Sequence, residues 1–102
     1  MTPKQYRKFS VRLDADLYKR FCRMCRRRRK MIIKELRKAI CDLEPADIQQ
    51  YDIGGGKMRI TVGLLGDSQT VVEHYAPIHG AGAVVRAAMC KAVIKAADKG
   101  KK

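Results

Sequence analysis

Phe9-Ser10-Val11-Arg12-Leu13, followed directly by Asp14-Ala15-Asp16, is the stretch that decides the fold. From Lys4 to Leu13 the chain alternates, with Phe9, Val11 and Leu13 on one side and Lys8, Ser10 and Arg12 on the other. Successive side chains of a strand point to opposite faces, so this alternation predicts a strand with one face buried. Asp14-Ala15-Asp16 then reads as a helix start, because acidic residues suit the positive end of the helix dipole. Leu17, Phe21, Met24 and Cys25 recur at helical spacing. A basic turn, Arg26 to Lys30, leads to a second helix carrying Ile32, Ile33, Leu36, Ala39, Ile40 and Leu43.

The same order of patterns returns later in the chain. Met58, Ile60, Val62 and Leu64 alternate with Arg59, Thr61 and Gly63. Gly66-Asp67-Ser68 opens a helix with Val71, Val72 and Tyr75, which Pro77 is expected to shorten. Gly80-Ala81-Gly82 breaks the chain before a last helix holding Val84, Val85, Ala88, Met89, Ala92, Val93 and Ala96. Strand, helix, helix therefore occurs twice, as in a diverged tandem duplication. The expected divisions are a first unit over 1–43, a connector over 44–56, a second unit over 57–98 and a basic tail over 99–102. The connector holds Glu44-Pro45-Ala46-Asp47 and Gly54-Gly55-Gly56, and its roughly 12 residues can stretch to about 40 Å.

With 102 residues, the chain is the length of one domain. At 46% hydrophobic residues it can build a core, which argues against a wholly disordered basic tail. No apolar run approaches the roughly 20 residues that span a bilayer. The basic N-terminus does not lead into an apolar leader, so a soluble protein of the cytoplasm, or of a host's cytoplasm if viral, is expected, without a membrane partner. The net charge of +13 predicts an anionic partner, nucleic acid ahead of a membrane surface. That charge is uneven. Residues 1–43 carry 15 Lys and Arg against 4 Asp and Glu, a surplus of eleven, while residues 44–102 carry 8 against 6.

One strand-helix-helix unit of about 40 residues cannot bury enough surface to fold alone. A lone strand also leaves its backbone donors and acceptors unpaired. Both problems vanish if the two strands pair antiparallel into a ribbon over four helices. The fold expected is therefore α+β, mostly helical, with the two polar strand faces side by side and pointing outward. Such a ribbon can enter the major groove of duplex DNA, where base edges present a distinguishable donor and acceptor pattern. The amide-rich start of each second helix would hold phosphate on either side.

The first 43 residues resemble a ribbon-helix-helix unit of the MetJ/Arc superfamily, without a gap from Phe9-Ser10-Val11-Arg12-Leu13 through the first helix and turn to Glu35-Leu36. The resemblance implies that the outward strand residues Lys8, Ser10 and Arg12 read bases. It implies that Arg29, Lys30 and Met31, at the start of the second helix, grip phosphate; Arg28 adjoins them. The second copy matches in order and alternation, which carries the reading role to Arg59 and Thr61, while Gly63 supplies no side chain. Gly80, Ala81 and Gly82 would let backbone amides approach phosphate closely. Most of the family are homodimers of one unit per chain. Two units in one chain, folded as an intramolecular pseudo-dimer, resemble tandem members among plasmid-transfer proteins and archaeal virus regulators.

Transcription regulation by sequence-specific duplex binding is the function this implies, on an asymmetric element because the two strands differ. One short ribbon reads few base pairs, so self-association on adjacent DNA sites is expected. The alternatives are a plasmid-transfer accessory protein and a nonspecific packaging or RNA-binding protein; a toxin-neutralising regulator would usually add a partner-binding tail. Cys22 and Cys25 form a C-x-x-C, but Cys41 and Cys90 make no second pair and His74 and His79 lack zinc-finger spacing, so no metal is expected. Cys25 continues the Leu17/Phe21 stripe as a small core residue. Gly54-Gly55-Gly56-Lys57 lacks the spacing of a nucleotide phosphate loop. No nucleophile or paired carboxylate converges on Glu73-His74 or His79, so neither catalysis nor a cofactor is expected.

Overall fold

Strand β1 (Arg7–Leu13) and strand β2 (Met58–Leu64) pair antiparallel into a two-stranded ribbon. The computed structural model describes residues 7–100 apart from Arg27 and Ile53, and the backbone alone of residues 98–100; the expected first strand residues, 4–6, lie outside it. Seven cross-strand pairs run from Arg7↔Leu64 to Leu13↔Met58, centred on Ser10↔Thr61. Phe9, Val11, Leu13, Val62 and Leu64 are buried, as the alternation requires.

Helix α1 (Ala15–Met24) starts where Asp14 accepts a hydrogen bond from the Leu17 N–H at 3.2 Å, an N-cap. It buries Leu17 and Phe21 and ends through Arg26, held at φ 56°. Helix α2 (Arg29–Cys41) buries Leu36 and Ile40. The connector does not stay extended. Helix α3 (Pro45–Tyr51) forms within it, giving five helices among the described residues where four were expected. Pro45 suits a first helical position because its missing N–H needs no partner there. The Asp47 carboxylate accepts from the Glu44 N–H at 2.9 Å, and Ile48 packs into the core.

Helix α4 (Asp67–His79) runs through Pro77 rather than stopping before it. Proline in the final turn removes only one late hydrogen bond, so the helix survives it. The stop comes at Gly80, whose φ of 86° is the left-handed conformation that glycine adopts without penalty. Helix α5 (Ala81–Gly100) begins at once, so Ala81 and Gly82 form its first turn instead of a break. Its N-terminal half is buried almost all round, with Ala83, Val84, Val85, Ala87, Ala88 and Met89 inside the core. A helix apolar on every side must be central, and α5 packs against α1, α2, α3, α4 and β1. Alanine at so many positions lets these neighbours approach closely.

Two ion pairs fasten α3 and its following turn to α5. Asp47 meets the Lys91 ammonium at 2.5 Å and Asp52 meets Arg86 Nε at 2.8 Å, with all four side chains at most about one quarter exposed. Lys91 also donates to the Asp42 carbonyl. Lys91 and the Glu44 N–H hold the Asp47 carboxyl below the usual carboxylate range. Burial pushes the Asp52 carboxyl upward, but hydrogen bonds from Arg86 and the Gly54 N–H outweigh it and leave it lowered. Among the described residues, no helix is long and apolar enough to cross a membrane.

Candidate nucleic-acid interface

The antiparallel register places the outward strand residues directly opposite one another: Lys8↔Gly63, Ser10↔Thr61 and Arg12↔Arg59. Lys8, Ser10, Arg12, Arg59 and Thr61 are all exposed and stand on one face of the ribbon. Directly opposed residues lie about 5 Å apart at Cβ, so the five side chains form one contiguous surface. At about 3.4 Å per residue the ribbon is roughly 24 Å long. Its polar face offers two guanidiniums and one ammonium as donors, and two hydroxyls that donate or accept.

Helix starts flank this face on both sides. The first backbone bond of α2 is Ile32 N–H to the Arg28 carbonyl at 2.9 Å, so the amides of Arg29, Lys30 and Met31 have no partner within the helix. In α5 the first such bond is Val84 N–H to the Gly80 carbonyl at 3.3 Å, which leaves the amides of Ala81, Gly82 and Ala83 in the same position. Helices α1, α3 and α4 each carry an acid in the first turn, Asp16, Asp47 and Asp67 respectively. Helices α2 and α5 carry none. In α2 the first turn holds Arg29 and Lys30 instead, cations at the positive end of the dipole, which is unfavourable without an anion nearby. Arg28, Arg29, Lys30 and Met31 are exposed, Gly80 is exposed and Ala81 and Gly82 are half-buried. Arg27, within the basic run, lies outside the described residues.

The start of α2 stands beside β2. Tyr18, Arg29, Ile32, Ile33, Thr61 and Gly63 line a cleft of about 400 Å³ between them. Burial holds the Tyr18 phenol above its ordinary pKa. The start of α5 stands beside β1. Arg86 donates from Nη1 to the Arg12 carbonyl at 2.8 Å, and a methyl group added at Gly82 would lie 3.0 Å from that same nitrogen.

Arg86 has a counterpart that sequence reasoning missed. Arg37 of α2 donates to the Gly63 carbonyl at 3.1 Å. Arg12 and Gly63 each lie two residues beyond the ribbon's central pair, Ser10↔Thr61, so the two arginines make the same contact on opposite strands. The signal lay in Leu36-Arg37-Lys38-Ala39-Ile40 and Val85-Arg86-Ala87-Ala88-Met89, an arginine at the same place in two similar helical segments. The contacts differ in one respect. Arg86 Nε meets Asp52, whereas Arg37 Nε is buried without a partner among the described residues.

Residues outside this face have other partners. Arg7 is ion-paired to Glu73 at 2.7 Å and lies over the Phe9 ring at 5.1 Å, so Glu73 serves to hold α4 to the ribbon. Cys25 is 3% exposed, and burial pushes its thiol up to about 11, as befits a core residue. All four cysteines are free thiols. Among the described residues, no three His, Cys, Asp or Glu side chains converge as a metal site would need. Neither a protein-family model, nor a curated protein, nor a solved structure matches the chain.

Proposed function

We propose that the chain is a single-chain, pseudo-dimeric ribbon-helix-helix protein that binds double-stranded DNA sequence-specifically and regulates transcription. The observation that carries this reading is the outward ribbon face, Lys8/Gly63, Ser10/Thr61 and Arg12/Arg59, flanked by the two helix starts that lack acidic residues. A two-stranded ribbon fits the roughly 12 Å major groove. Arg12 and Arg59 suit guanine acceptors, and Ser10 and Thr61 suit several bases or a thymine methyl. The amides and cations at Arg28, Arg29, Lys30 and Met31, and the small residues Gly80, Ala81 and Gly82, suit the phosphates on either side. The paired contacts of Arg37 and Arg86 with opposite strands support a duplicated unit.

The two halves are unlike. The α2 start offers positive side chains, while the α5 start offers backbone amides, so the complex has a fixed direction along an asymmetric element. Selection of bound sites from random duplexes, repeated at two salt concentrations, tests this. A sharp, non-palindromic motif that persists at the higher salt is expected. Enrichment of no motif at either concentration would overturn sequence-specific reading in favour of nonspecific packaging.

A further inference from the structure

A groove of about 460 Å³ opens between the α1–α2 turn, α2 and α5, away from the ribbon's reading face. Its floor is apolar and cut low by small residues. Ala88, Ala92 and Ala96 recur every four residues along α5, facing Ala39 of α2, with Met24 and Met31 at the sides. Its rim is cationic. Arg26, Arg28, Lys38 and Lys95 line it and are exposed, and among the described residues none of the four forms an ion pair. Two acids, Glu35 and Asp42, also line it, so the exposed cations outnumber the acids two to one. Lys91 is already engaged by Asp47 and the Asp42 carbonyl.

A pocket of this volume lies in the range of small-molecule sites, which combine an apolar lining with a few charged groups. We propose that the groove binds an amphipathic anion, an acyl chain or comparable apolar body ending in a carboxylate, sulfate or phosphate. The apolar portion lies over the alanine floor, where methionines adapt to its shape. The anionic head meets the cations of the rim. Arg28 and Met31 belong both to this groove and to the start of α2, so occupancy competes with phosphate gripping and weakens DNA binding. That coupling rests on the DNA reading above; the binding itself does not.

Titration of the full chain with sodium dodecanoate below its micellar range, followed by methyl chemical shifts, tests the site. Saturable one-to-one shifts at Met24, Met31, Ala88, Ala92 and Ala96 are expected. Decanoate, shorter by two methylenes, should bind about fifteenfold more weakly, since each buried methylene contributes about 0.8 kcal/mol. The dodecyltrimethylammonium cation, with the same chain and the opposite charge, should not saturate. Shifts spread over the ribbon face without saturation, or equal binding of the cation, would overturn the proposal. Ala92→Phe should fill the groove and abolish binding. Lys38→Glu with Lys95→Glu alters only exposed residues and should weaken dodecanoate about tenfold or more; unchanged affinity in this pair overturns the site even if Ala92→Phe does not fold. Dodecanoate should lower affinity for a selected duplex, and an unmoved duplex affinity at saturating dodecanoate overturns the coupling while the groove stands. A chain that binds dodecanoate but no duplex sinks the DNA reading alone.

Discussion

Arg12 and Arg59 face each other directly across the ribbon. Like charges in opposed positions destabilise a sheet, and both side chains are exposed, so neither is there for stability. Nearby, the Arg12 carbonyl already receives the Arg86 guanidinium, which adds further positive charge. An arrangement this unfavourable in the free protein is consistent with an anionic partner that relieves it. Arg59→Thr should therefore raise unfolding free energy by a few tenths of a kcal/mol and, under the DNA reading, weaken duplex binding. Urea denaturation and a duplex titration on the same variant check both signs, and a loss of stability would sink the argument. Under the DNA reading, Arg12→Ala should cost roughly 1–3 kcal/mol at the selected site and relax preference at one base position. Its ratio of specific to nonspecific affinity is the quantity to measure. Gly56 is constrained for a different reason. A methyl group added there would lie 2.4 Å from the Leu13 carbonyl oxygen, so Gly56→Ala must shift backbone and should cost about 1–3 kcal/mol. Gly55→Ala, with ordinary contacts at 3.6 Å or more, is the control.

At the scale of elements, two ion pairs fasten α3 and the turn after it to α5. Asp47 and Asp52 have carboxyls lowered in the folded chain below the ordinary 3.8. A group whose folded pKa lies below its unfolded one contributes stability above the unfolded value and loses it as pH falls through the folded value. The two ion pairs to Lys91 and Arg86 should thus hold fully above about pH 4 and fail progressively below it. Urea midpoints between pH 6 and pH 2 should fall less steeply below pH 4 for Asp47→Asn than for the unaltered chain. Identical slopes would remove Asp47 from the acid response. The ribbon was legible because alternation of Phe9, Val11 and Leu13 against Lys8, Ser10 and Arg12 needs only seven residues to show its period. Helix α3 was not, because only Ile48 of its seven residues is buried, too few to display a helical stripe. Glu44-Pro45-Ala46-Asp47 reads as part of a connector in the sequence; in the structure it starts a helix, with Pro45 at the first position and the Asp47 carboxylate accepting from the Glu44 N–H. Pro77 misled in the other direction, since its effect depends on how close it lies to the helix end. Arg37 and Arg86 were hidden because their shared place shows only when the two helical segments are compared, and the strand carbonyl each one reaches is a tertiary fact.

Across the whole molecule, the surplus of eleven positive charges in residues 1–43 divides by role. Arg7, Arg20 and their acidic partners are neutralised within the fold, whereas Arg28 and Arg29 stand exposed at the α2 start. Under the DNA reading, Arg28→Ala and Arg29→Ala should weaken all duplexes similarly and each reduce the slope of log affinity against log salt by about 0.9. The α5 start carries no such cations, so Gly82→Ala should leave that slope unchanged. Its added methyl, 3.0 Å from Arg86 Nη1, should instead disturb the contact with the Arg12 carbonyl. The same architecture fixes how stability and binding respond to concentration. Both strands of the ribbon come from one chain, and their seven pairs are intramolecular. A ribbon assembled from two chains melts at a midpoint that rises with concentration by mass action. Here the urea and thermal midpoints should stay constant over a hundredfold dilution, and a single selected site should saturate hyperbolically. A midpoint that drops on dilution would mean that the ribbon is shared between chains, and the intramolecular pairing would then be the part of the architecture to abandon.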